Sequence, residues 1–181
     1  MMTAAWMILI ATAISAEDAD GLRWSHQPAE SGMRRGWAQI TVDAPADVVW
    51  KVVTDVDAYA DFLPYVTASS VYERRDDGTQ RSGYSVTVRG VTSDFVMEGP
   101  LSPHQRQWCF VYTDGPATVS RGGRGCWRLN PTETGATELE YEVFLPRVWW
   151  IPKSVEARIA EQGLTRLVLG MAARAERIAH P

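Results

Sequence analysis

From Lys153 to Ile178 the chain contains no proline and only two glycines, and its apolar residues recur at intervals of three and four. Leu164, Leu167, Val168, Met171, Ala175 and Ile178 form one stripe, while Arg158, Glu161, Arg166, Arg174 and Arg177 take other faces. That period marks an amphipathic helix. At 1.5 Å per residue, about 25 residues make a helix of ~38 Å, long for a globular protein. Its apolar stripe needs a cover of matching length. A single strongly curved sheet wrapped around it would supply one.

Upstream, the dominant period is two. In "GWAQITVDA" the residues Ala38, Ile40 and Val42 share one face and Trp37, Gln39 and Thr41 the other, as in a half-buried strand. "VTASSVYERRDDGTQRSGYSVTVRG" reads as a hairpin turning at Asp77-Gly78. In "VTSDFVMEGPL", Phe95 and Met97 oppose Asp94, Val96 and Glu98; "QWCFVYT" groups Trp108, Phe110 and Tyr112; "GCWRLNP" groups Trp127 and Leu129. "TELEYEVFLP" alternates most clearly, with Leu139, Tyr141, Val143 and Leu145 inward and Glu138, Glu140 and Glu142 toward water. Six or seven strands in series with short turns imply an antiparallel sheet. After the first strand, "VDAPADVVWKVVTDVDAYADFLPYV" reads as two short helices. Pro45 suits a first turn, and Val48, Val49, Val52 and Val53 form a buried stripe. Asp57 is placed to cap the second helix, which Pro64 ends. No repeat, linker or second domain interrupts the 181 residues. The fold class is α+β: a curved sheet around a long C-terminal helix.

The first residues, "MMTAAWMILIATAISA", carry no charged side chain, and the apolar run Ala4–Ile14 is too short to span a bilayer. Its length suits a secretory signal peptide ending at Ala16, although no Lys or Arg precedes the run. Residues 1–16 are therefore expected to be removed. Residues 17–34 read as an irregular segment with at most one short strand, and 35–181 as the domain. This places the protein outside the cytoplasm, secreted or periplasmic. Cys109 and Cys126 fall on neighbouring strands that fold about "DGPATVSRGG". They then lie opposite one another, and a non-hydrogen-bonded pair would permit a disulfide, which an oxidising compartment preserves. Two cysteines with no nearby histidine offer no metal site. The formal charge of −4, without a basic run, excludes a nucleic-acid partner.

The order of strand, two short helices, strands and long helix, with "APADVVWKVVTDVDAYADFLP", "GCWRLNP" and "GATELEYEVFLP", resembles the START-like, or polyketide cyclase and dehydrase, superfamily. Within it the chain looks most like the branch of coenzyme Q-binding START proteins. The resemblance covers roughly residues 35–178. It implies a helix-grip fold with a cavity between sheet and helix that takes lipids, quinones, sterols or polyketides. Export would set this chain apart from relatives that serve mitochondrial respiration or act on ribosomes. The implied cavity is expected to be lined by Phe95, Met97, Trp108, Phe110, Tyr112 and Tyr141 from the strands. Leu164, Leu167 and Met171 would join them from the helix, with Phe62, Leu63 and Tyr65 near its mouth.

A catalytic constellation is not visible. His26, His104 and His180 read as surface residues, no GxSxG occurs, and "RGGRG" lacks the lysine and strand-loop-helix context of a phosphate loop. Arg89, Asp94 and Glu98 are acid/base candidates only if they point inward rather than to solvent. No cofactor is indicated. Three functions remain open: an exported carrier of an apolar molecule, a cyclase or dehydratase, or a structural module with a filled centre. Trp149 and Trp150 in "RVWWIP" suit either a transient membrane or protein contact or a clamp of helix on sheet.

Overall fold

A computed structural model describes residues 14–17, 21–88, 90–116, 120–147 and 152–181. Nine antiparallel strands form one sheet in the order β1-β2-β3-β9-β8-β7-β6-β5-β4. They are β1 (Ile14–Glu17), β2 (Arg23–Pro28), β3 (Met33–Val42), β4 (Val66–Arg74), β5 (Thr79–Val88), β6 (Val91–Ser102), β7 (Gln107–Asp114), β8 (Arg124–Pro131) and β9 (Thr137–Pro146). The helices are α1 (Ala46–Thr54), α2 (Tyr59–Phe62) and α3 (Lys153–Ala179). After β3, α1 and α2 carry the chain across to the far edge. From β4 it returns strand by strand until β9 pairs with β3, Ile40 opposite Leu139.

The fold class holds, and the strand count corrects the expected six or seven. Eight strands run from Arg23 onward, and β1 adds a ninth. The two short helices follow the third strand, not the first. The segment read as irregular contains β2 and the start of β3. Residues 14–16, expected to leave with the leader, pair with Ser25 and its neighbours on β2. Polar composition hid these strands: β2 buries only Trp24 and Ser25, and the first three residues of β3 are half-buried.

The inner face of the sheet follows the alternation. Ala38, Ile40 and Val42 are buried, as are Leu139, Tyr141 and Val143. On the outer face Arg128 pairs with Glu140 and Glu142, and Arg35 with Glu142. Desolvation raises the Glu142 pKa, but hydrogen bonds from Arg35 and Arg128 outweigh it and hold the carboxyl below its usual range. Asp57 does not cap α2; its Oδ1 accepts the Val71 N–H at 2.8 Å and ties the helical turn to β4.

The helix α3 grips the sheet unevenly. It packs on β2, β3, β9 and α1, and its buried residues are Leu164, Val168, Met171, Ala172 and Ala175, all from Leu164 onward. Ile178, expected in the stripe, is 44% exposed, while Ala175 and Ala179 on neighbouring positions pack against the core. Gly36 on β3 leaves the space that Leu164 fills: a Cβ at Gly36 would stand 3.0 Å from Leu164 Cδ1 and 3.2 Å from Val143 Cγ1. The stretch of α3 before Leu164 stands clear of the sheet, and the Arg34–Glu156 pair at 3.2 Å tethers it to β3.

Cys109 and Cys126 are register partners on β7 and β8 and form a disulfide, with Cα atoms 4.0 Å apart. The Tyr112 N–H donates to Gly123 C=O. Three steps along the register, the cysteines therefore occupy a non-hydrogen-bonded position, where side chains approach most closely. Alkylation without reduction should label no thiol; two labelled thiols would refute the bond. Gly36→Val should cost about 1–3 kcal/mol in urea unfolding by overpacking. Adding Leu164→Ala should cost less than the sum of the two single changes.

Candidate functional site

Because α3 lies over β2, β3 and β9, the inner face of β5 to β8 is left partly uncovered beneath its first half. A cavity of about 680 Å³ opens there, within the ~300–1,000 Å³ typical of small-molecule sites. Period-two alternation aims Tyr84, Val86 and Val88 from β5 into it, with Phe95 and Met97 from β6 and Phe110 and Tyr112 from β7. Trp127 and Tyr141 complete the floor. Tyr59, Leu63, Pro64 and Tyr65 form an end wall from α2 and the turn behind it, and α3 contributes the roof from Ser154 to Leu167.

Of the residues expected at the site, Phe95, Met97, Phe110, Tyr112, Tyr141 and Leu167 line this cavity, as do Leu63 and Tyr65 at its end. Trp108, Leu164 and Met171 do not: they are buried core, with Trp108 and Met171 fully enclosed. Trp108 lies past Phe110, toward the half of the sheet that the short helices cover. Leu164 and Met171 face β2, β3 and β9. Phe62 packs edge-on against Tyr59 and beneath Arg174, turned away from the cavity. Sequence reasoning missed Tyr84, Val86, Val88 and Trp127 as lining, although it grouped Trp127 with the inward Leu129. It also missed the exposed first half of α3, because the apolar stripe drew attention to the second.

Asp94 and Glu98 point outward. Asp94 accepts from the Ser85 hydroxyl at 2.5 Å, and Glu98 pairs with Arg75 at 2.7 Å. Arg89, Trp149, Trp150 and residues 1–13 lie outside the described residues. His104 and His180 are exposed, His180 resting on the Asp43 carbonyl. His26 is instead half-buried on β2, and its pKa is lowered by desolvation, with Glu156 opposing and Arg34 reinforcing the shift. Among the described residues no group of acidic, histidine and cysteine side chains could hold a metal.

The polar groups inside are phenols. Tyr59 donates to the Val53 carbonyl and is fixed. Tyr84 is buried. Burial raises the pKa of Tyr84 and Tyr141 well above the ordinary value and pushes Tyr112 up to about 12. Tyr112 and Tyr141 both belong to the cavity lining. At neutral pH these groups are hydrogen-bond donors, not bases. Stability contributed by neutral Tyr112 is complete below pH 10 and is lost as pH rises through about 12. Tyr112→Phe should flatten the fall in stability across that window, followed by unfolding at stepped pH.

The chain matches the family described as "Polyketide cyclase / dehydrase and lipid transport" over residues 42–172 and belongs to it. Among curated proteins it is similar to the Ribosome association toxin RatA of Escherichia coli, 26% identical over 98 residues. That alignment covers 54% of this chain and 59% of the relative, so the chain spans about three fifths of the relative's length. Among solved structures it is similar to the Zhui aromatase/cyclase of Streptomyces, 25% identical at a TM-score of 0.69, covering 80% of this chain and 94% of that one. It also matches a STAR-related lipid transfer protein of Xanthomonas axonopodis, 16% identical at a TM-score of 0.70, over 90% of this chain and 98% of the other, a likeness of fold alone. Family and cavity together point to a role in binding a hydrophobic small molecule or in cyclase chemistry.

Proposed function

We propose that this protein is an exported carrier that holds an apolar small molecule, a lipid, quinone or polyketide-like compound, between its sheet and α3. The observation that carries this reading is the cavity itself, walled by Val86, Phe95, Met97, Phe110 and Leu167. Burial of apolar ligand surface there contributes about 25 cal/mol per Å², and the phenols of Tyr112 and Tyr141 add hydrogen-bond donors to the lining. A structural module with a filled centre accords poorly with that open volume. Export is supported by the apolar leader and by the Cys109–Cys126 bond. No helix among the described residues is long and apolar enough to cross a membrane.

A second reading, a cyclase or dehydratase, is favoured by one observation, the neutral phenols of Tyr112 and Tyr141 in the cavity lining. A neutral phenol in an apolar cavity can polarise a carbonyl as a hydrogen-bond donor. Tyr112 cannot serve as a base near pH 7, because its pKa is raised to about 12.

Residues 17–181 expressed into a periplasm should carry a stoichiometric apolar compound, identified by extraction and mass spectrometry. Leu167→Asp, at the half-buried roof of the cavity, should abolish that cargo while leaving the thermal unfolding transition in place. A folded variant with undiminished cargo would remove Leu167 from the site, and an empty wild-type cavity would shift weight to the enzyme.

A further inference from the structure

On α3, Ser154, Arg158, Gln162 and Arg166 follow one another every four residues, so they form one row along the helix. The neighbouring row is Val155, Ile159, Gly163 and Leu167. Both rows line the cavity. Val155 and Ile159 are 47% and 58% exposed, which marks this stretch as the open side. A Cβ at Gly163 would meet nothing within 4 Å, so the roof is thin midway between the two arginines.

Arg158 and Arg166 are the only charged side chains among the described residues that line the cavity; no carboxylate faces it. Neither belongs to an ion pair among those residues; Arg23, Arg74, Arg124, Arg174 and Arg177 are likewise unpaired there, but none of them lines the cavity. Arg166 is held in place, its guanidinium 5.1 Å from the centre of the Tyr65 ring. Tyr65 has a left-handed backbone, φ 78°, and its carbonyl accepts the Thr87 N–H at 2.8 Å, which ties it to β5. Local strain of this kind concentrates at ligand clamps. The protein as a whole carries a charge of −4, so two positive charges alone at the mouth do not follow from its composition.

We propose that the ligand is an amphiphilic anion whose apolar body enters the cavity and whose carboxylate or phosphate is held at the mouth by Arg158 and Arg166. The inference rests on the cavity being a ligand site and adds the charge and orientation of the occupant. Guanidinium groups bind both anions through paired N–H donors. A cationic amphiphile of the same length meets only like charge. An uncharged one gains the apolar contacts and nothing at the mouth.

The test is displacement of the neutral fluorophore N-phenyl-1-naphthylamine from the 181-residue protein by ligands sharing one tail. Dodecanoate and dodecyl phosphate should displace it at about tenfold lower concentration than dodecanol, the scale of one good charge-assisted contact. Dodecyltrimethylammonium should be weaker than dodecanol, and inorganic phosphate without a tail should displace nothing. The ratio of dodecanoate to dodecyl phosphate tells which head group the pair prefers. In Arg158→Gln/Arg166→Gln the anions should fall to the level of dodecanol, with dodecanol affinity and the thermal transition unchanged. Equal binding of anion and alcohol by the wild type, or an anion preference that survives the double substitution, overturns the proposal. If the fluorophore and every amphiphile fail to bind, the cavity is not a ligand site and the parent reading falls with it.

Discussion

The contact on which the rest depends is the half-length grip of α3 on the sheet. Leu164, Val168, Met171 and Ala175 bury their side chains over β2, β3 and β9, and Gly36 withholds a side chain so that Leu164 can sit close. A helix packed along its whole length would cover β5 to β8 as well and leave no space. Because burial begins only at Leu164, the residues before it become a roof, and the Arg34–Glu156 pair ties that stretch to β3. The cavity is thus a consequence of how the apolar stripe of one helix is distributed.

That distribution explains what could be read from the chain and what could not. Strand faces were legible because period two fixes direction without knowledge of the fold: Phe95, Met97, Phe110, Tyr112 and Tyr141 all reach the cavity. Trp108 shares the face of Phe110 and Tyr112, yet it is core. Alternation tells which side of the sheet a residue occupies but not how far along the strand the helix cover extends. The same gap separates Leu167 from Leu164 and Met171. Arg158 and Arg166 were seen as the polar face of a helix, because composition cannot say that a polar row borders an opening. The strands before Met33 were illegible for another reason: β2 and the first residues of β3 bury too few side chains to impose a pattern.

The two faces of the sheet divide the physical work. Outside, Arg35, Arg128, Glu140 and Glu142 form a network of partly exposed ion pairs, and the Cys109–Cys126 bond crosses the neighbouring pair of strands. Such pairs each contribute little, about 0–1 kcal/mol when exposed, while closing a loop of this length contributes about 3 kcal/mol by constraining the unfolded chain. The disulfide therefore matters more to the rigidity of β7 and β8. Those strands carry Phe110, Tyr112 and Trp127, so the covalent tie on the outer face steadies the floor on the inner one.

Inside, the sheet carries features that stability alone would not retain. Gln80 Nε2 and Trp108 Nε1 are sealed without hydrogen-bond partners, and a buried donor left unpaired costs about 1–3 kcal/mol. An open apolar volume adds to that cost, because its lining lacks contacts on one side. A chain selected only to be compact would fill the space with the larger side chains that its own core already uses at Trp108 and Trp127. Occupation by an apolar ligand restores the missing contacts, and any ligand that binds only the folded state stabilises it by mass action. On the proposed function, the stability of this protein should therefore depend on its ligand, and a ligand that fills the cavity and satisfies the mouth at the same time should stabilise it most.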